Sequence, residues 1–197
     1  MVRAIIKRTK RSVVSVKCAD NDNHKLTEYF TIRKSDRRTK GEVQEEKRRL
    51  LEFALRKGVE DGLEVRYIKN KGRGVFTTRN FNKGEFVVEY SGDLIDLQEA
   101  YHREHEYEQD ENMGCYMYYF KYNEQHYCVD ATAESGKLGR LINHSRNGNL
   151  ITKVLMVDKI PRLSLLAKTF IKAGEELLYD YGDRSKESLE NHPWLAF

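Results

Sequence analysis

From residue 63 onward, the hydrophobic residues of the chain fall in short runs that are separated by Gly, Asn and Asp. These runs are rich in Val, Ile, Tyr and Phe, which is typical of β-strands. Runs this short, with few helical segments between them, favour a mostly β fold with several small sheets and short helices. The predicted strands are residues 63–68, 74–78, 86–90, 116–122, 126–129, 154–157, 163–167 and 176–178.

An N-terminal amphipathic helix is predicted ahead of the strands, over residues 41–57. Glu45 precedes Arg49 by four residues, a spacing that supports a helix, and Gly58 follows as a stop signal. A second helix is predicted over residues 96–108 and a short helical turn over 139–143. The apolar residues of the first helix recur near helical spacing and are Val43, Leu50, Leu51, Phe53 and Ala54.

Residues 1–40 carry twelve Lys and Arg residues but only four acids, whereas the net charge of the whole chain is +4. They lack sustained periodicity, so we predict a basic and mostly disordered arm before a mildly acidic body. A basic arm suits a polyanion such as DNA, and an acidic body suits a cationic substrate. The alternative is that the arm is simply a polar, solvated tail.

Two classes of protein are disfavoured by composition. No run approaches the ~18 apolar residues that a membrane helix needs, so no membrane partner is expected. The three cysteines cannot all pair and do not have the spacing of metal ligands, which indicates a reducing compartment and predicts no metal site.

Tyrosine is unusually frequent, with twelve residues in the chain. A buried phenol needs a partner for its hydroxyl, so ordinary cores prefer Phe and Leu. Many tyrosines on converging strands therefore predict a narrow channel in which ring faces hold methylene groups and hydroxyls hold an amine, as a lysine side chain requires. A tyrosine-rich sheet surface is the alternative.

Two loops offer further polar groups. Lys71-Gly72-Arg73-Gly74 permits a tight turn whose backbone approaches a ligand closely, although an ordinary hairpin turn has the same pattern. Residues 139–145 end in Asn143-His144-Ser145, which supply hydrogen-bonding groups directly after an apolar turn. A loop in which His144 bridges two backbone groups is the alternative interpretation there.

Taken together and in this order, Lys71 to Gly74, Asn143 to Ser145 and Glu176-Leu177-Leu178-Tyr179-Asp180-Tyr181 resemble the SET domain of protein lysine methyltransferases. The resemblance runs from about residue 35 to the end of the chain. It extends toward the branch that monomethylates histone H4 at lysine 20, through residues 86–90, 114–120, 127–132, 139–145, 181–186 and 192–195.

The resemblance implies the β-clip SET fold, in which several small sheets surround a threaded pseudoknot made by Asn143–Ser145 and the C-terminal tyrosine segment. It also divides the chain into the arm (1–40), a flanking helix (41–60), the SET domain (61–183) and a closing segment (184–197), and implies a monomer. Segment 133–137 departs from the branch's pattern, and we expect it on a loop near the peptide groove.

S-adenosylmethionine is the cofactor that the resemblance implies. Tyr181 would orient the substrate amine, Tyr90 and Tyr179 would hydrogen-bond it directly or through water, and Tyr179 in place of Phe would limit the product to monomethyl-lysine. The implied cofactor-binding residues are Lys71, Gly72, Arg73, Tyr116, Arg140, Asn143, His144 and Trp194.

The implied partners are the histone H4 tail and the nucleosome, in the nucleus and on chromosomes, with roles in chromatin compaction, transcription and the cell cycle. Two alternatives stay open, namely another lysine substrate and a catalytically silent chromatin- or clamp-binding module. Residues 26–30 resemble the sliding-clamp-binding peptide of replication proteins, because Leu26, Tyr29 and Phe30 would form one apolar turn. A chance aromatic pair in a linker is the alternative.

Overall fold

The computed structural model describes residues 38–69, 71–110 and 114–182. Its helices and strands belong to the unit that begins at Lys40. Three predictions lie outside the described residues: the disordered arm before residue 38, the candidate clamp-binding peptide at 26–30, and the closing segment with Trp194.

The first helix, α1, spans Lys40–Lys57 and confirms the helix predicted over residues 41–57. It buries Leu51 and Leu55, which lie one turn apart and pack with Val157 in a small apolar cluster. Its exposed face carries ion pairs one turn apart, including Arg56 to Glu52 at 2.8 Å. The N–H of Gly58, in a positive-φ conformation, donates to a carbonyl of the last turn and ends the helix.

The described residues contain ten strands in four small sheets, which confirms the predicted mostly β architecture. β1 and β2 form an antiparallel hairpin, and the two three-stranded sheets have the antiparallel orders β3-β9-β8 and β4-β6-β5. β7 and β10 pair in parallel. The strands are β1 Leu63–Ile68, β2 Gly72–Thr77, β3 Phe86–Tyr90, β4 Asp93–Ile95, β5 Met117–Tyr122, β6 Gln125–Asp130, β7 Asn143–His144, β8 Leu150–Val157, β9 Ile160–Ala167 and β10 Leu178–Tyr179.

The second helix, α2, spans Leu97–Glu108 and starts at Asp96, whose carboxylate accepts a hydrogen bond from the backbone N–H of Glu99. Ala100 is its one buried residue, so apolar packing holds it only weakly. Polar contacts to the end of β6 hold it instead, because Arg103 and Tyr107 both bind the Asp130 carboxylate, at 3.1 and 2.8 Å. Neither described helix has the length and apolarity that spanning a bilayer requires.

The parallel pairing of β7 with β10 joins segments that are far apart in sequence. We call the contact between residues 143–149 and 176–181 the crossing. The Asn149 amide donates to the carbonyl of Glu176 and accepts from the N–H of Leu178, both at 2.9 Å. Gly148 is required there, because a Cβ would lie 2.4 Å from the carbonyl oxygen of Leu178.

The observed strands differ from the predicted ones at several places. β8 and β9 begin four and three residues before the strands predicted at 154–157 and 163–167. β4 and β7 were not predicted, since two or three residues carry too little alternation to be recognised. The strand predicted at 176–178 begins at Leu178 instead, because Glu176 forms an isolated bridge to Phe76 of the hairpin. A 3-10 turn occupies Gly139–Leu141, inside the helical turn predicted over 139–143.

Replacing Asn149 with Ala should lower the free energy of unfolding by about 2 kcal/mol, because two backbone groups of the crossing lose their partner. Urea unfolding followed by circular dichroism measures this loss. Asn147→Ala is the matched control, since Asn147 is exposed two residues away, and it should cost less than about 0.5 kcal/mol. Equal losses for the two variants would contradict a structural role of the Asn149 amide.

Candidate active site

Four tyrosine rings meet beside the crossing. Tyr90 ends β3, Tyr118 lies on β5, Tyr179 ends β10 and Tyr181 follows two residues later. Ring centroids are 5.6 Å apart for Tyr90 and Tyr118, 6.3 Å for Tyr90 and Tyr179, and 4.8 Å for Tyr179 and Tyr181. The three tyrosines that were predicted to be catalytic therefore lie together, and we call these four residues the tyrosine cluster.

Two hydroxyls of the cluster are oriented by backbone carbonyls. The Tyr90 hydroxyl donates to the carbonyl of Tyr116 at 2.9 Å, and the Tyr181 hydroxyl donates to that of Ile142 at 2.8 Å. Each hydroxyl uses its only proton in this bond, so the lone pairs of its oxygen remain available to accept. The arrangement can thus accept hydrogen bonds from an amine at defined positions.

Burial keeps these phenols protonated. Desolvation is the largest cause that raises the pKa of Tyr90, Tyr179 and Tyr181, and neighbouring tyrosines raise each pKa further. The same surroundings disfavour a charged ammonium, and they would lower the pKa of a lysine amine placed among the rings. The cluster therefore favours both the protonated, neutral tyrosine hydroxyls and the neutral form of a bound lysine amine.

The glycine-rich segment 71–74, predicted as a loop, lies from Gly72 onward in β2 and contacts the other predicted ligand group. Lys71 precedes β2, Gly72 opens the strand with φ +82°, and the carbonyl of Arg73 accepts a hydrogen bond from the Asn143 amide at 3.3 Å. The same amide donates to Glu176 at 3.1 Å, and the Lys71 ammonium lies 3.6 Å from that carboxylate. Cation, amide and carboxylate groups are thus gathered at one place.

His144 links this group of residues to the tyrosine cluster. Its Nδ1 accepts a hydrogen bond from the backbone N–H of Tyr181 at 3.1 Å, which assigns the proton of the neutral ring to Nε2. Its ring meets that of Tyr181 edge-on, with centroids 5.0 Å apart. The crossing therefore fixes His144 and Tyr181 relative to one another.

Arg140 is buried and braces the loop that follows β6. It donates to the carbonyls of Ala131 and Thr132 at 2.5 and 2.9 Å, and its guanidinium carbon lies 4.1 Å from the centre of the Tyr116 ring. Tyr116 and Arg140, both predicted to bind the cofactor, are therefore in contact. Trp194, the last residue of that set, lies outside the described residues.

Three residues near the site were not predicted as site residues. Tyr118 belongs to the cluster, and alternation along β5 places it on the inner face while the exposed Tyr119 points away. Glu176 contacts both Asn143 and Lys71. Glu134, in the segment that we expected near the peptide groove, forms an ion pair with Arg73. Tyr118 lay in the tyrosine-rich run, and Glu176 opened the third motif without being assigned a role. Glu134 carried no such signal, because its contact with Arg73 connects distant parts of the sequence.

Three acids near the site, Glu89, Asp93 and Asp96, bear on the expectation that an acidic body attracts a cationic substrate. Glu89 is half-buried and forms two hydrogen bonds of 2.6 Å with Arg162, so its charge is already paired. Asp93 is exposed, with Arg103 at 3.2 Å, and Asp96 caps α2. No group of three or more His, Cys, Asp or Glu side chains in the described ranges is placed to hold a metal ion.

This fold and site define a SET domain, whose family matches residues 72–182. The chain belongs to the SET-domain family, which confirms the resemblance that the ordered motifs predicted. It is 59% identical over 179 residues to the histone-lysine N-methyltransferase Set8 of Drosophila melanogaster, covering 91% of this chain and 26% of the fly protein. The chain spans about a quarter of the fly relative and about half of the vertebrate relatives that it matches.

Solved structures give the same family. The crystal structure of CpSET8 from Cryptosporidium is 37% identical with a TM-score of 0.66, over 79% of this chain and 86% of that chain. The structure of ctPRC2 bound to S-adenosylmethionine is 34% identical with a TM-score of 0.57, over 71% of this chain and 18% of that chain.

When the folded protein is titrated to about pH 11, we expect wild type and Tyr181→Phe to gain the same phenolate absorbance. The reason is that burial keeps the Tyr181 hydroxyl protonated in this pH range. The same titration in urea is the control, and there the variant should lose the absorbance of one tyrosine. Loss of that absorbance in the folded protein would contradict the burial of this phenol. Since the folded pKa lies above the unfolded one, this burial adds no pH-dependent loss of stability below about pH 10, and stability falls as pH rises beyond it.

Proposed function

We propose that the chain is a histone lysine methyltransferase that uses S-adenosylmethionine and adds one methyl group to lysine 20 of histone H4 on nucleosomes. The observation that carries the proposal is the cluster of buried Tyr90 and Tyr179 with partly buried Tyr181, whose ring contacts His144. Asn143, the neighbour of His144 in β7, binds the glycine-rich segment. A catalytically silent module would not need to keep these residues in one assembled site. The names of the relatives support a histone substrate, with action in the nucleus and on chromosomes.

The donor set fits the proposed cofactor, whose amino acid part has an amine and a carboxylate. The Glu176 carboxylate and the Asn143 amide suit the amine, and the cations Lys71 and Arg73 suit the carboxylate. Tyr116, Gly72, Arg140 and His144 complete the proposed site from the same region, and Trp194 would close it over the adenine. When bound, the cofactor supplies a methyl group that is already activated by its sulfonium.

The chain's own contribution is then desolvation and alignment. Ring faces of the cluster would hold the methylene groups of the substrate lysine and exclude water, which favours the amine over the ammonium. The oxygens of Tyr181 and Tyr90, fixed by the carbonyls of Ile142 and Tyr116, would accept hydrogen bonds from the amine and orient its lone pair. Alignment of two reacting groups in this way accounts for a large share of the barrier reduction.

Tyr179 is proposed to set the product. Tyr179 is almost completely buried and its ring contacts those of Tyr90, Tyr118 and Tyr181, so space around this side chain is limited. A water held by the Tyr179 hydroxyl would occupy the room that a second methyl group needs.

DNA contact through the basic arm, sliding-clamp binding through residues 26–30 and the monomeric state remain predictions of the sequence.

Replacing Tyr181 with Phe should reduce methyl transfer to histone H4 by roughly 100-fold or more, because the oriented oxygen is lost. Binding of S-adenosylmethionine, measured by calorimetry, should change by less than about twofold. Transfer is followed with a radiolabelled donor on nucleosomes, and histone H4 with arginine at position 20 is the substrate control.

Tyr67→Phe is the matched protein control, since Tyr67 is exposed on β1 and should be silent. Full activity of Tyr181→Phe would remove Tyr181 from the mechanism. A wild-type protein that binds the donor but labels no histone would instead favour another lysine substrate or a silent module.

Replacing Tyr179 with Phe should allow dimethyl-lysine to form, because the loss of the hydroxyl frees the space of the held water. Mass spectrometry of an H4 peptide after complete reaction measures the number of methyl groups. Tyr118→Phe, which removes the hydroxyl bonded to Thr152, serves as the comparison within the same cluster. Only monomethyl product from the Tyr179 variant would count against the proposal.

A further inference from the structure

The loop between β6 and the 3-10 turn carries a carboxylate that touches two cations at once. Glu134 Oε1 lies 2.5 Å from Arg73 Nη2 and 2.9 Å from Arg140 Nη1. Arg73 lies at the start of β2, and Arg140 lies in the 3-10 turn far along the chain. The two arginines lower the pKa of the Glu134 carboxyl, Arg73 being the larger cause.

Arg140 depends on this carboxylate for its charge balance. Its side chain is 2% exposed, and its Nε and Nη2 donate to the carbonyls of Ala131 and Thr132. Its Nη1 has no other hydrogen-bond partner among the described residues and forms an ion pair with Glu134 Oε1 at 2.9 Å. Carbonyl dipoles bind a guanidinium but do not neutralise it, so Glu134 supplies the counter-charge of a buried cation.

The Arg140 guanidinium is connected to the tyrosine cluster through Tyr116. It stacks on the Tyr116 ring at 4.1 Å, and the Tyr116 carbonyl accepts the hydrogen bond from the Tyr90 hydroxyl. Contacts therefore run without interruption from Arg73 through Glu134, Arg140 and Tyr116 to Tyr90. Glu134 is the one acid in this series, and it joins the side proposed for the cofactor to the side proposed for the lysine.

We propose that Glu134 is a positioning residue that holds the Arg73 guanidinium ready at the cofactor site and keeps Arg140 stacked on Tyr116. The inference rests on the proposed function, because it takes Lys71 to Arg73 as part of the site for S-adenosylmethionine. Arg73 is 46% exposed, so without a fixed partner its long side chain would have to be ordered when the cofactor binds. Because Glu134 holds the Arg73 side chain in the folded protein, this side chain is already ordered before the cofactor binds.

Calorimetric titration with S-adenosylmethionine tests the proposal without relying on turnover. Glu134→Gln should weaken binding about three- to tenfold, which corresponds to the strength of one well-placed ion pair. The KM for the cofactor should rise by a similar factor, while kcat and the KM for the peptide change by less than about twofold. Since Glu134 and Arg73 are both partly exposed, the difference from wild type should shrink at high salt.

Two further variants make the test specific. Glu134→Asp keeps the charge beside Arg140 but reaches less far toward Arg73, so its affinity should lie between those of wild type and Glu134→Gln. Glu124→Gln is the matched control, since Glu124 is highly exposed and pairs with Lys121 in the β5–β6 turn. It should bind the cofactor as wild type does.

A double-mutant cycle with Arg73→Ala decides whether Glu134 acts through Arg73. The proposal expects Glu134→Gln to cost clearly less affinity in the Arg73→Ala background than in the wild type. A full effect in that background, or unchanged affinity of Glu134→Gln in the wild type, overturns it while leaving the proposed function intact. A wild-type protein that binds no cofactor overturns both.

Discussion

The crossing of residues 143–149 with 176–181 is the contact on which the rest of the site depends. Two strands of two residues each, β7 and β10, pair in parallel, and backbone and amide hydrogen bonds extend the contact on both sides. Such short strands are not stable as a sheet of their own. They are held because the segments on either side, including Leu177 and Ile142, are buried in the main core.

This arrangement brings polar groups from distant parts of the chain to one place. Asn143 reaches the glycine-rich segment, His144 binds the backbone of Tyr181, and Tyr179 enters a cluster completed by β3 and β5. The cluster is desolvated, whereas the side of the glycine-rich segment is charged and partly exposed. A charged ligand can therefore bind on the polar side of the crossing, and a lysine side chain can bind in the desolvated cluster on the other side.

The sequence predicted those elements whose signals are local, and it missed those that depend on contacts between distant residues. Strands 63–68 and 86–90 were predicted with their observed bounds, because alternation or apolar runs between turn residues define them. β7 left no such signal, and β10 begins two residues and ends one residue later than predicted, since non-local pairing fixes both. The predicted site residues came from the ordered motifs and the further matching segments, which include Glu176 but gave it no role. The roles of Glu134 and Glu176 depend on contacts between distant segments that no spacing rule reveals.

The central physical claim is that the tyrosine cluster favours an uncharged lysine. The most direct measurement is the pKa of that lysine, by NMR titration of an H4 peptide labelled at the side-chain nitrogen and bound with S-adenosylhomocysteine. We expect the bound lysine to have a pKa below about 9, compared with ~10.4 for free lysine. A bound lysine that titrates at or above the free value would contradict the central claim.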